Sequence, residues 1–370
     1  MSTIIDYCSS SYLGIQHSSW ELAPWAQLNT GKPAAFQEQE KASLVAKKVA
    51  RLQGLATGLL FSSTFHLFWD VFQGFSALST AIFVDDKTYP IARWATEMAR
   101  LKGVVVEIFR QGDINHLKAL LATKHRCPIV LTDGWNLQEG RLAPIRAYAA
   151  LVKAHRGLLV IDDTQSIGLL GKKDFLHTTY GKGGGGVLPH LGIQDTHVLV
   201  GSSLAKAFGV PIAVLSGSQY WIEKIKKSSL TRIHCSPPSS ALISAANHAL
   251  LVNVREGELR RHQLRQNVLY FQQKLQRVGL QTPNHLFPIQ CLEELPHQAA
   301  IGIHRRLKER GIQTLLLARP KGPCLSFLIR SDHTKADIDL TTEWIGRYSN
   351  PLLTFSKKHF HGKRDRTQPR

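Results

Sequence analysis

The chain has few of the features that would take it out of the globular class. No apolar run in its 370 residues reaches the roughly 18 needed to span a bilayer. Its opening, Met1-Ser2-Thr3-Ile4-Ile5-Asp6, lacks the basic stretch and apolar core of a signal peptide. The five cysteines (Cys8, Cys127, Cys235, Cys291, Cys324) are odd in number and form no CxxC pair. That argues against a disulfide framework and for free thiols in a reducing cytoplasm. No metal-ligand spacing and no internal repeat are present. Acidic residues are scarce: 27 Asp and Glu face 46 Lys and Arg, a formal charge of +19.

What is present is a hydrophobic fraction of 43%, enough for a large core and a second, smaller domain. Part of the charge is local. Residues 357–370 carry six Lys/Arg against one Asp and read as a mobile, disordered tail. The rest makes a surface that attracts anions: nucleic acid, phosphorylated cofactors or an acidic partner protein. A plain solubility charge accounts for it equally well. No helix-turn-helix is visible, so specific nucleic-acid recognition is not expected.

Apolar runs alternate with amphipathic stretches. Helix signals cover Phe36–Gln53, Phe65–Phe75, Ile91–Leu101, Ile114–Leu121 and Pro144–Ala154. Strand signals cover Leu59–Phe61, Ala81–Val84, Val104–Ile108, Pro128–Leu131, Leu158–Ile161 and Val198–Val200. Strands apolar throughout and separated by helices predict a parallel sheet covered on both faces. Gly181–Gly186 reads as a flexible loop that follows no strand and opens no helix, which argues against a phosphate-binding fingerprint. From about 255 the texture changes to a basic helix (Glu256–Val278), short strands near Pro288, Gln313 and Leu325, and helices at His297–Arg310 and Lys335–Gly346. The expected organisation is an N-terminal segment (1–35), a large domain (36–254), a small α+β domain (255–350) and the tail (351–370).

Sites in open parallel sheets lie at the carboxyl ends of the strands. Asp162 closes one apolar run, and Lys206 lies just past another, flanked by Ala205, Ala207 and Gly209. An acid and a lysine so placed suit pyridoxal phosphate (PLP): the carboxylate keeps the pyridine nitrogen protonated, and the amine carries the aldehyde as a Schiff base. Taken singly, such an Asp is more often a helix cap and such a Lys a solvated surface group. Gln165 is within reach of the ring hydroxyl. Ser63-Thr64-Phe65 lies where strand gives way to helix, where N–H groups and hydroxyls meet an anion; Ser203 adds a hydroxyl. Tyr89 can stack on the ring. Asp133 ends a further strand. Arg319 can clamp a carboxylate bidentately.

These residues resemble the α-oxoamine synthases of the fold-type-I PLP enzymes, a group that includes 8-amino-7-oxononanoate synthase, glycine C-acetyltransferase, 5-aminolevulinate synthase and serine palmitoyltransferase. The resemblance runs from Ser11-Tyr12-Leu13-Gly14 to the C-terminal domain and is most specific in Asp162–Gly171 and Gly201–Gly209. It implies a mostly parallel seven-stranded sheet in the large domain, and a homodimer with a shared active site. It implies Lys206 as the Schiff-base lysine, Asp162 as the ring-nitrogen partner, Thr64, Phe65 and Ser203 on the phosphate side, Tyr89 as the stacking residue and Arg319 as the carboxylate binder. The chain also departs from the family: Gln165 and Tyr89 each replace a histidine, Ser10 an asparagine, and His234 the interface threonine.

The reaction the resemblance implies is decarboxylative condensation of an amino acid with an acyl thioester, carried on coenzyme A or on an acidic acyl carrier protein. Another PLP reaction (transaminase, aldolase-type lyase or cyclase) is the alternative, since a tyrosine stacker is at home in transaminases. Ser203-Leu204-Ala205-Lys206 also matches the SxxK motif of serine acyl enzymes, but the accompanying SDN and KTG elements are lacking.

Overall fold

The computed structural model describes residues 4–18, 27–75, 80–122, 127–137, 139–174, 179–281, 283–319 and 322–361, with side chains to 349. The chain forms two compact units, Leu13–Arg261, and Met1–Tyr12 together with His262–Arg370.

The first unit is built on seven strands: β1 (Thr57–Phe61), β2 (Ala81–Asp85), β3 (Val105–Phe109), β4 (Ile129–Asp133), β5 (Leu158–Asp162), β6 (Val198–Ser203) and β7 (Ala213–Gly217). Their order across the sheet is β1-β7-β6-β5-β4-β2-β3. All neighbours are parallel except β7, which runs antiparallel to both β1 and β6. This is the mostly parallel, helix-covered sheet that the sequence predicts. Strand β7 is the seventh member, and no strand signal was read at Ala213–Gly217.

Alternate residues of the central strands feed two cores. Ile82, Val84, Ile129, Leu131, Leu158, Val160 and Leu199 pack with Leu67, Phe68, Val71 and Phe72 of the Thr64–Gly74 helix. Ala81, Phe83, Val130, Leu159, Ile161, Val198 and Val200 pack on the other face with Tyr148 and Val152 of the Ile145–Ala154 helix. Burial on both faces is why these strands read as continuous apolar runs.

The first long helix is shorter than expected, Glu40–Leu52. Phe36 and Gln37 instead turn back onto the Pro33 carbonyl. Gly54, at φ +76°, ends the helix in the left-handed conformation.

Gly181–Gly186 is not a flexible loop. Its backbone pairs at Gly168–Gly184, Leu170–Gly186 and Lys172–Lys182, and it does open a helix, Val187–Leu191. A Cβ on Gly186 (φ +87°) would stand 1.9 Å from Asp163 Oδ2, and one on Gly185 2.1 Å from the Leu52 carbonyl. Gly185 and Gly186 are there for close approach rather than for freedom.

In the second unit, Ile5–Asp6 pairs in parallel with Ile312–Gln313, so the first residues of the chain belong with its last third. A three-stranded antiparallel sheet places Cys324–Leu328 between Ile289–Leu292 and Leu315–Leu317. The units divide at Arg261/His262, inside the continuous helix Ser240–Arg277, and not at the expected 254/255 junction. Arg261 bonds the Gly168 carbonyl and Asn253, whereas Asn267 bonds the carbonyls of Arg330 and His333. The last helix, Lys335–His361, runs through the expected start of the disordered tail at 351. Residues 362–370 lie outside the described residues. Among the described residues no helix is long and apolar enough to cross a membrane.

Candidate active site

Register brings the chemistry-bearing residues of the first unit to one edge of the sheet. Asp133 pairs with Asp162, and Asp162 pairs with Gly201. Ser203 and Phe61 lie level across β7, both paired with Ala213. Asp85 ends β2 on the same edge. Beyond these ends come the turns that carry Ser63–Phe65, Tyr89, Gln165 and Lys206.

Asp162 is 7% exposed. Its Oδ1 accepts from the Thr164 N–H at 3.0 Å, and Thr164 Oγ1 accepts from the Ser203 N–H at 3.0 Å. One threonine thus ties the end of the acid strand to the end of the lysine strand. Sequence reasoning missed it; the signal was a hydroxyl two residues after a strand-ending Asp, the spacing of an Asx turn.

Burial raises the Asp162 pKa, while Thr164 and the charge of Lys206 pull it down. Lys206 is half-buried, and burial lowers its pKa against the opposing pull of Asp162. Each group is therefore within electrostatic reach of the other. The lysine loop is anchored: Leu204 N–H donates to Ile212 O, Gly209 N–H to Lys206 O and Ala205 N–H to Ser203 Oγ. His17 Nε2 donates to Phe208 O at 3.0 Å.

The Asp133 carboxyl holds a neighbouring backbone. Its two oxygens accept from the Tyr89 N–H at 3.2 and 3.1 Å, fixing the residue that precedes Pro90. The Tyr89 ring is 50% exposed. Burial first, then the Asp162 charge, raises the Asp133 pKa well above the usual carboxyl range. Asp163 is turned away from the edge and accepts from the Val187 N–H at 3.0 Å. Burial lifts its pKa to about 7. Asp85, bonded by Thr132 Oγ1 and the Lys87 N–H, is lifted to about 6.

On the phosphate side, Ser63 caps the Thr64–Gly74 helix, its Oγ accepting from the His66 N–H. Thr64 and Phe65 are the first two helical residues, whose N–H groups have no acceptor within the helix. The Ser62 hydroxyl donates to Ser236 O at 2.7 Å, bringing the Ser236-Pro237-Pro238 segment against this turn. His234 ends the short Thr231–His234 helix and is exposed. Buried Asp70 pins that helix through the N–H groups of Leu230 and Thr231.

Ser10 and Arg319 belong to the second unit. Ser10 lies in the extended segment that follows Ile5–Asp6, and its carbonyl accepts from the Tyr12 N–H at 2.7 Å. Arg319 follows the Leu315–Leu317 strand, and its Nη2 donates to Cys291 Sγ at 3.2 Å.

The model for aminotransferase class I and II matches residues 15–319. The chain belongs to that family. It is a PLP-dependent transferase. An 8-amino-7-oxononanoate synthase of Alkalilimnicola ehrlichii is 27% identical over 353 residues, covering 91% of this chain and 86% of the relative. That of Nitrosococcus oceani is 29% identical over 349 residues, covering 90% and 87%. The resemblance to the α-oxoamine synthases is thus borne out among the family's relatives. A serine palmitoyltransferase structure from S. paucimobilis superposes with a TM-score of 0.79 at 14% identity, covering 95% of this chain and 88% of that one. An 8-amino-7-oxononanoate synthase of Francisella tularensis superposes at 0.75 with 18% identity, covering 95% and 100%. At that identity the structures show the fold.

The residues of the first unit fit the family's cofactor. A buried carboxyl ending β5 is costly without a cationic partner, and a protonated pyridine nitrogen is one. A half-buried amine of lowered pKa stands at the end of the neighbouring strand, and a capped helix start offers N–H groups to a phosphate.

Proposed function

We propose that the chain is a C-acyltransferase that joins an amino acid to an acyl thioester with loss of CO2, giving an α-aminoketone. The observation that carries this reading is the Asp162/Lys206 arrangement on adjacent strand ends, with small residues around the lysine, in a chain whose relatives are 8-amino-7-oxononanoate synthases. When bound, PLP supplies an electron sink for the pair left at the substrate Cα.

The chain's own residues do the rest. Asp162 holds the proton of the ring nitrogen, and Thr164 orients that carboxylate. Lys206 Nζ, whose pKa burial lowers, takes the Cα proton. The Cα–acyl bond then forms as the C–S bond of the thioester breaks and the thiol leaves. The carboxylate departs as CO2, and Lys206 returns a proton to Cα. Tyr89, its backbone held by Asp133, covers one ring face. The N–H groups of Thr64 and Phe65, with the hydroxyls of Ser63 and Ser203, receive the phosphate. Gln165 meets the ring hydroxyl. In the second unit, Arg319 grips the α-carboxylate and Ser10 lines the substrate side. His234, exposed on its own chain, completes the site of a second copy in a homodimer. The +19 charge favours an acidic carrier protein as acyl donor.

Incubation of the PLP-loaded protein with amino acids and acyl thioesters tests the reading. Stoichiometric release of CO2 and free thiol is expected. Turnover of α-keto acids without thiol release would overturn it in favour of a transaminase, the reading that Tyr89 in place of histidine supports.

A further inference from the structure

We propose that Cys291 is a positioning residue for Arg319: its sulfur holds the guanidinium in place for the substrate carboxylate. This rests on the reading of Arg319 given above. Two donors converge on Cys291 Sγ, in a side chain 4% exposed. Arg319 Nη2 donates at 3.2 Å. Ser326, paired directly with Cys291 across the antiparallel strands, donates from Oγ at 3.2 Å. Cys324, two residues earlier and therefore on the same face of its strand, donates its own thiol proton to Leu325 O at 3.8 Å.

A thiol accepts hydrogen bonds weakly, whereas a thiolate accepts several. The neighbouring Cys324, with the bonds from Ser326 and Arg319, lowers Cys291 to about 6 against the resistance of burial. Cys324 itself is pushed upward. The second unit therefore holds a buried sulfur–guanidinium contact in which the charge of Arg319 favours the ionised sulfur. Glu293 also lies 3.7 Å from Nη2 but is 64% exposed, so solvent screens it and the sulfur is the stronger anchor.

A guanidinium has enough N–H donors to be held by sulfur at one nitrogen and to fork onto a carboxylate through others. An arginine already held loses less rotamer freedom when substrate arrives.

The test titrates PLP-loaded protein with glycine, L-alanine and L-serine, following the absorbance of the bound cofactor. Cys291→Ala should weaken amino-acid binding roughly ten-fold, the scale of one charge-assisted hydrogen bond, with PLP affinity unchanged. Cys291→Ser should recover part of the loss. Unchanged amino-acid affinity in Cys291→Ala, alongside weakened affinity in Arg319→Lys, overturns the proposal. Unchanged affinity in both overturns the reading of Arg319 itself. Ultraviolet titration of the thiolate is independent of substrate: with Cys291→Ser as the blank, the Cys291 midpoint should rise in Arg319→Met. A midpoint that stays put sinks the pairing.

Discussion

The two units shift their buried acids in opposite directions. At the sheet edge of the first, Asp85, Asp133, Asp162 and Asp163 are all nearly inaccessible, and burial pushes every one of them toward its protonated form. In the second, the Cys291 thiol is pulled toward its ionised form by neighbours that include Arg319. The first cluster lacks a cation of its own beyond Lys206 and suits a cationic ligand. The second is satisfied from within. The difference teaches that a strongly shifted group is not by itself a binding site; what matters is whether the chain already supplies its partner.

The sharpest way to break this comparison is to remove the first unit's chemistry. Lys206→Ala should abolish the yellow colour of PLP-loaded protein and lower turnover about a thousand-fold or more, measured by absorbance and thiol release. Asp162→Asn should weaken PLP binding without unfolding the chain, because it relieves a buried acid. A colourless wild-type protein that stays colourless with added PLP would remove the basis of the contrast.

Next in size is Gly186→Ala. Its Cβ would collide with Asp163 at a positive φ, and roughly 3 kcal/mol of stability should be lost. Urea unfolding measures this; a loss below about 1 kcal/mol would mean that the Asp163 anchor yields easily.

The pH dependence should differ in sign between the units. Asp85 and Asp163 bind protons more tightly folded than unfolded, since their pKa values stand at about 6 and about 7 against an ordinary 3.8. Their contribution is full below the ordinary value and is lost as pH rises through 6 and 7. Cys291 is the reverse: at about 6 against an ordinary 9.0, it contributes fully above 9 and loses that contribution as pH falls through 6. Each group changes stability by about 1.4 kcal/mol per pH unit inside its window. Segment-resolved hydrogen exchange at pH 5 and pH 8 should show β2 and β5 less protected at the higher pH and Ile289–Leu292 more protected. Parallel changes in the two units would remove the contrast.

The smallest effect belongs to Tyr89→His. The Asp133 bond is to the backbone and the ring is half-exposed, so stability should stay within about 0.5 kcal/mol. The visible spectrum of bound PLP should nevertheless shift under the proposed stacking role of Tyr89.

Much of the first unit was legible because its signals are local. Leu158–Asp162 announces a strand and the acid that ends it within five residues, and Lys206 sits among small neighbours that say little else. The parallel order follows from apolar strands alternating with helices. Strand β7 was not legible: Ala213-Val214-Leu215-Ser216-Gly217 directly follows the lysine loop, and it is pairing with both β6 and the distant β1 that makes it a strand. Gly181–Gly186 was misread for a related reason. Glycines that permit close approach and glycines that permit motion look alike until Asp163 and the Leu52 carbonyl are in place. The Cys291–Arg319 contact spans 28 residues and two strands, and no spacing rule announces it.

The reversed direction of β7 bears on how the chain assembles. Strands β6 and β7 meet through the short connection that carries Lys206, so this pairing closes a small loop and can form early. The β1–β7 pairing joins residues roughly 150 positions apart and must wait for most of the first unit to be made. The lysine end of the site is then in place before the Ser63–Phe65 end arrives. A phosphate-bearing ligand held at the early end would meet the late one as it docks. Refolding with PLP present should therefore speed the final phase, in which the edge strand closes the sheet, and leave the first phase unchanged.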